Sequence, residues 1–241
     1  MKKVIYKLLL GSFIIISCTR NNVTPFIENV DLEEEEEAND KIFNLLSLGD
    51  SYTIGQSVCE TCRFPEQLKD SIISNFESEG NIDLNVIART GWTTTNLINA
   101  ILTENLSSNY DLVTLLIGVN NQFQGKPFSV YETEFPELIN TAISKTKGDK
   151  NNLIVLSIPD YAYTPFGNGD LNISTDIDKY NAFAQNYCSN NDIVFINITD
   201  ITRMGLDNTA LVASDGLHPS ELAYSKSVEK ILPSALDKLQ N

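Results

Sequence analysis

The chain contains a single histidine, His218, in the run Asp215-Gly216-Leu217-His218-Pro219. Far upstream, Gly49-Asp50-Ser51 follows an apolar run that reads as a buried strand. Together these two places have the residue types for nucleophilic catalysis. A serine hydroxyl is a weak nucleophile at neutral pH and needs a base within hydrogen-bond reach. The base needs a third group that fixes its tautomer and stabilises its charged form. Asp215 and His218 are three residues apart, so one turn can set the carboxylate on the ring nitrogen that faces away from the serine. Ser51, Asp215 and His218 then supply nucleophile, orienting acid and base in that chain order. The alternative is an ordinary half-buried histidine and an ordinary turn. Each motif is short enough to arise by chance, and their conjunction carries the catalytic reading.

Such residues must be brought together by the elements between them. Five apolar runs rich in β-branched residues, 42–48, 82–88, 112–117, 153–158 and 193–198, alternate with stretches of helical period. Continuous apolar runs of this length suit strands buried on both faces of a parallel sheet. Phe64, Leu68, Ile72 and Phe76 recur every fourth residue and predict an amphipathic helix. Residues 95–106, 130–145 and 177–188 read as further helices. The stretch 220–239 places Leu222, Ile231, Ala235 and Leu239 on one stripe, with Pro233 expected to kink or split it. Strict alternation predicts an α/β fold: a three-layer α/β/α sandwich on a five-stranded parallel sheet, flavodoxin-like in type. Open parallel sheets bind ligands beyond the carboxyl ends of their strands. The segments expected there are Gly49-Asp50-Ser51, Arg89-Thr90-Gly91-Trp92, Gly118-Val119-Asn120-Asn121 and Pro159-Asp160-Tyr161, with Asp215–His218 after a longer loop.

These blocks resemble the SGNH hydrolases, also called GDSL-like lipases and acylhydrolases, whose blocks centre on Ser, Gly, Asn and His. Ser51 matches the first, Gly91 the second, Asn120 the third, and Asp215 with His218 the last. The resemblance spans roughly residues 42–225. No Gly-x-Ser-x-Gly surrounds Ser51, against the nucleophile elbow of the α/β-hydrolases. Tyr52 stands where the family usually has Leu, and Asn121 where it usually has Asp. The second departure concerns a supporting hydrogen bond and leaves the chemistry intact.

The resemblance implies ester hydrolysis through an acyl-enzyme on Ser51. His218 would act as base and then acid, and Asp215 would orient the ring. The oxyanion would be held by the backbone N–H groups of Ser51 and Gly91 and the Asn120 amide. Asp50 is read as a brace for its turn. Trp92, Tyr161 and Tyr163, with Phe166, are candidate substrate-binding aromatics or simple packing. The stretch 160–175 is either a lid or a surface loop. The expected substrates are short-chain O-acyl esters of carbohydrate or small molecules. Lysophospholipids or acyl thioesters are the alternative, and a catalytically silent surface binding module is a competing class. No metal or organic cofactor is implied.

The 241-residue chain is long enough for one sizeable domain, taken as residues 41–241. Lys2, Lys3 and Lys7 precede the apolar run 8–16, which is too short to span a bilayer. With Ser17-Cys18 it resembles a lipoprotein signal, residues 1–17, cleaved so that Cys18 is lipidated; an uncleaved anchor or plain secretory signal is the other possibility. Residues 18–40, with Glu33 to Glu37, read as an acidic tether. The expected location is extracytoplasmic and membrane-anchored, periplasmic or at the cell surface, with membrane contact only through Cys18. A formal net charge of −15 argues against nucleic acid as a partner. Cys59 and Cys62 read as a local disulfide or two free thiols, and Cys188 as a small hydrophobe; a lone C-x-x-C pair argues against zinc.

Overall fold

The computed structural model describes residues 43–76 and 81–240. The expected leader (1–17), Cys18, the tether (18–40) and the first two residues of the expected domain lie outside them. The strands are β1 (Phe43–Gly49), β2 (Ile82–Ala88), β3 (Leu112–Leu116), β4 (Leu153–Leu156) and β5 (Val194–Ile196). All pair in parallel, in the order β2-β1-β3-β4-β5. This is the flavodoxin-like order, with the reversal beside β1, where a crevice opens at the carboxyl edge.

The helices are α1 (Ser51–Ile54), α2 (Phe64–Asn75), α3 (Thr94–Thr103), α4 (Val119–Phe123), α5 (Phe128–Lys145), α6 (Leu171–Asn190), α7 (Thr199–Thr202) and α8 (Glu221–Gln240). One helical layer has α2 packed on α8; the other has α3, α5 and α6 packed in sequence. In α2 the four-residue spacing buries Phe64, Leu68 and Ile72. Each such side chain contributes about 1.5–3 kcal/mol relative to exposure. Phe76 caps the helix and packs its ring on Phe43.

Four expectations are corrected. The edge strands β2 and β5 are only half-buried, because an edge strand lacks a neighbour on one side; every residue of β3 and β4 is buried. Helix α6 begins six residues before the expected start, capped by the Asp170 carboxylate on the Asn172 N–H. Helix α8 continues through Pro233 as one element. Pro233 and Glu229 are both exposed, so the Glu229 carbonyl that loses its partner can turn to water. Leu222 is exposed, and the buried stripe of α8 starts instead with Ala223, Tyr224 and Val228.

Candidate active site

The register aligns Gly49 of β1 with Ala88 of β2 and Leu116 of β3, so the segments that follow all emerge at one edge. Gly49 allows a very close approach: a Cβ there would lie 2.1 Å from Thr53 Oγ1 and 2.5 Å from the Leu116 carbonyl oxygen. Asp50 then turns the chain into α1, its Oδ1 accepting the Tyr52 N–H at 3.0 Å. Ser51 is the first residue of α1 and is buried. Its N–H has no intrahelical acceptor and is available to a ligand oxygen.

Asp50 itself is 1% exposed, and its Oδ2 has no hydrogen-bond partner among the described residues. Burial pushes its carboxyl up to about 7; the Tyr52 N–H and the Asn120 amide offset part of that rise.

The Asp215–His218 turn is closed on itself. Val212 and Pro219 form an antiparallel bridge, and the Ala213 N–H donates to the His218 carbonyl at 2.7 Å. Asp215 Oδ1 accepts the N–H groups of Leu217 at 2.9 Å and His218 at 3.0 Å. Its Oδ2 lies 2.6 Å from His218 Nδ1 and also accepts the Ser57 hydroxyl at 2.6 Å. Burial works against the Asp215 charge, but the bonds from Ser57, His218 and Leu217 outweigh it and hold the carboxyl well below the ordinary carboxylate range. An ionised carboxylate only accepts, so in the neutral ring the proton sits on Nδ1 and Nε2 is the acceptor. The His218 ring lies 5.1 Å from that of Tyr52, centroid to centroid. Ser51 and His218 line one cavity. No hydrogen bond joins them among the described residues, a separation common before a substrate draws such groups together.

Gly91 has φ +81°, a left-handed conformation in which a side chain would be strained, and a Cβ there would meet nothing within 4 Å. Its carbonyl accepts Gln124 Nε2 at 2.8 Å. Asn120, in the first turn of α4, donates one amide hydrogen to the Trp92 carbonyl at 3.0 Å. Asn120 also lines the cavity. Asn121 makes the supporting bond on which the sequence departure bore. Its Oδ1 accepts the Thr94 N–H at 3.0 Å and its Nδ2 donates to Thr94 Oγ1 at 2.6 Å. Thr94 Oγ1 donates its own hydrogen to Glu134 Oε2, so it can only accept from residue 121, which an amide Nδ2 supplies and an ionised carboxylate could not.

The cavity holds about 170 Å³, and its walls include Val119, Phe123, Tyr161 and Leu217 beside Ser51, Gly91, Asn120 and His218. Of the three candidate binding aromatics, only Tyr161 lines it. Its hydroxyl donates to Gln122 Oε1 at 2.7 Å. Trp92 instead packs against the core, and the Tyr163 ring lies 6.0 Å from the Arg203 guanidinium. Phe166 lies 6.1 Å from Phe123, and both are about half exposed. Phe123 was missed because the sequence places it past the Asn block with no motif of its own. The 160–175 stretch is folded inward at its start: Tyr161–Tyr163 is a 3₁₀ turn capped by Asp160, and a Cβ on Gly167 would lie 2.0 Å from the Tyr161 carbonyl oxygen. A disulfide joins Cys59 and Cys62, and Cys188 is buried and free. Among the described residues no three His, Cys, Asp or Glu side chains converge as a metal-ligand set.

Residues 47–226 match the family model of the GDSL-like lipases and acylhydrolases. The chain belongs to that family. Membership makes this GDSL-like hydrolase an ester hydrolase. Solved structures share its fold at low identity. A variant of Axe2, an acetyl xylan esterase from Geobacillus stearothermophilus, is 17% identical with a TM-score of 0.63, covering 80% of this chain and 94% of that one. A lipase/acylhydrolase from Enterococcus faecalis is 18% identical with a TM-score of 0.63, covering 81% and 96%. The psychrotrophic esterase EstA from a Pseudoalteromonas species is 16% identical with a TM-score of 0.58, covering 82% and 99%. Comparison with curated protein sequences finds no match.

Proposed function

We propose that this GDSL-like hydrolase removes short-chain O-acyl groups from carbohydrate or small-molecule esters through an acyl-Ser51 intermediate. His218 Nε2 takes the hydroxyl proton as Ser51 Oγ bonds to the ester carbon. The C–O bond then breaks and the same proton passes to the leaving alcohol. Water, deprotonated in turn by His218, releases the acid and restores Ser51. Asp215 holds the ring with Nδ1 protonated. The Ser51 and Gly91 N–H groups and the Asn120 amide face the oxyanion. The carrying observation is the cavity that brings Ser51, Gly91, Asn120 and His218 against an apolar wall. At about 170 Å³ it is smaller than the roughly 300–1,000 Å³ that enclose drug-sized ligands, which suits an acyl group of few carbons.

The test is hydrolysis of p-nitrophenyl acetate, butyrate and octanoate by the wild type, Ser51→Ala and His218→Ala. The expected result is activity that falls with chain length and vanishes in both variants. A folded wild type no more active than Ser51→Ala overturns the reading in favour of a binding module. Asn120→Ala is expected to lose about a hundred- to a thousandfold in kcat with an unchanged unfolding transition; unchanged kcat removes Asn120 from the site. Preference for lysophospholipid or acyl-thioester substrates is the second reading, supported by the exposed Phe123 and Phe166 rings; activity that rises with chain length would select it.

The enzyme is further proposed to work outside the cytoplasm, lipidated on Cys18. A disulfide at Cys59–Cys62 suits an oxidising compartment. Radiolabelled palmitate is expected in the wild type and absent from Cys18→Ala; equal labelling refutes this placement.

A further inference from the structure

Ser57 is exposed, and no sequence motif marks it. Its hydroxyl nevertheless donates at 2.6 Å to Asp215 Oδ2, the oxygen that also meets His218 Nδ1. Its backbone has φ +69°, the left-handed region. Glycine adopts that conformation without strain, whereas a residue with a Cβ does not. The neighbouring Gln56 reaches the other wall: its Oε1 accepts the Thr90 hydroxyl at 2.5 Å, next to Gly91. Two consecutive side chains therefore span the site. The segment is fixed at both ends. The Gln56 N–H donates to the Ser51 carbonyl at 3.0 Å, and the Cys59–Cys62 disulfide follows, with the Cys62 carbonyl accepting Gln67 Nε2 at 2.6 Å.

We propose that Ser57 is a positioning residue for the acid–base pair. By sharing Oδ2, its hydroxyl fixes which oxygen faces the imidazole and limits how tightly the carboxylate holds the ring proton. The inference rests on the reading of Ser51, Asp215 and His218 given above. The other ionisable groups near Asp215 are Tyr52 and Tyr224, both raised above the ordinary tyrosine range by burial and so uncharged near neutrality; Asp50 and Tyr161 lie beyond, facing Tyr52. None donates to Oδ2 among the described residues.

Ser57→Gly and Ser57→Ala separate this role from a purely structural one. Glycine relieves the left-handed strain and keeps or raises the thermal midpoint, whereas alanine retains the strain and loses the bond. Both are expected to lose about tenfold to a hundredfold in kcat on p-nitrophenyl acetate, the worth of a hydrogen bond to a charged group, with KM unchanged. In both, the acidic limb of kcat/KM moves to higher pH, because the carboxylate released from Ser57 keeps the imidazolium longer. Wild-type kcat and an unmoved limb in folded Ser57→Gly overturn the proposal. Ser51→Ala, run in parallel, distinguishes the failures. If it is inactive, only the role of Ser57 is lost; if it is as active as wild type, the underlying mechanism fails too.

Discussion

Asp50 and Asp215 flank the two central side chains of the site and are held in opposite ways. Asp50 precedes Ser51, is almost fully buried, and has one oxygen without a partner; burial raises its carboxyl to about 7. Asp215 precedes His218, accepts from four groups, and is held well below the ordinary range. One carboxylate braces a turn and gains from its proton, while the other must stay charged beside an imidazole. The two differ in burial as well as in hydrogen-bond supply: desolvation dominates at Asp50, while donors outweigh it at the partly exposed Asp215.

The largest way to break this contrast is Asp215→Asn. The amide no longer enforces the Nδ1–H tautomer, and kcat should drop by on the order of a thousand- to ten-thousandfold, read from steady-state hydrolysis by a folded protein. A smaller loss would show that the turn alone orients His218.

Asp50→Asn should sharpen it through stability. With a folded value near 7 above an ordinary 3.8, Asp50 favours folding most when protonated. Its contribution is complete below about pH 4 and is lost as pH rises through about 7. Three units correspond to on the order of 4 kcal/mol. Urea unfolding of wild type between pH 4 and pH 8 should show that decline, and Asp50→Asn should flatten it with a much smaller change in kcat. Asp215 acts with the other sign: its lowered carboxyl stabilises the fold above its ordinary 3.8, and that share is lost as pH falls below it.

The smallest effect is expected from reducing Cys59–Cys62. Loosening the segment after Ser57 should lower kcat severalfold and leave the decline between pH 4 and pH 8 unchanged. A reductant that alters the decline instead would tie the staple to the Asp50 side.

Much of the site was legible because its chemistry is confined to short blocks at strand ends. The one histidine, the serine after β1 and the alternation of runs were sufficient to place Ser51, His218, Gly91 and Asn120 around one crevice. Ser57 was not legible: a serine in a polar turn has no period or motif, and its partner is 158 residues away. Aromatic type alone could not separate binding from packing at Trp92 and Tyr163, since a ring near a strand end can turn to the core or to Arg203 as readily as to a cavity. Of the two effects expected of Pro233, the split does not occur: α8 runs through it, with the orphaned Glu229 carbonyl on an exposed face. Asn121 became interpretable only with Thr94 beside it.

The bridge between Val212 and Pro219 gives the acid–base pair a portability that Ser51 lacks. The backbone that sets Asp215 beside His218 is closed within eight consecutive residues, 212–219, into which the Ser57 hydroxyl reaches from outside. Insertions or deletions between α7 and this clip would shift the pair together, keeping its backbone alignment while pulling on the bond from Ser57. Ser51, two residues past a glycine packed against Thr53 and the Leu116 carbonyl with no room for a side chain, has no such freedom. Sequence length should therefore vary among relatives on the histidine's approach and stay fixed on the serine's.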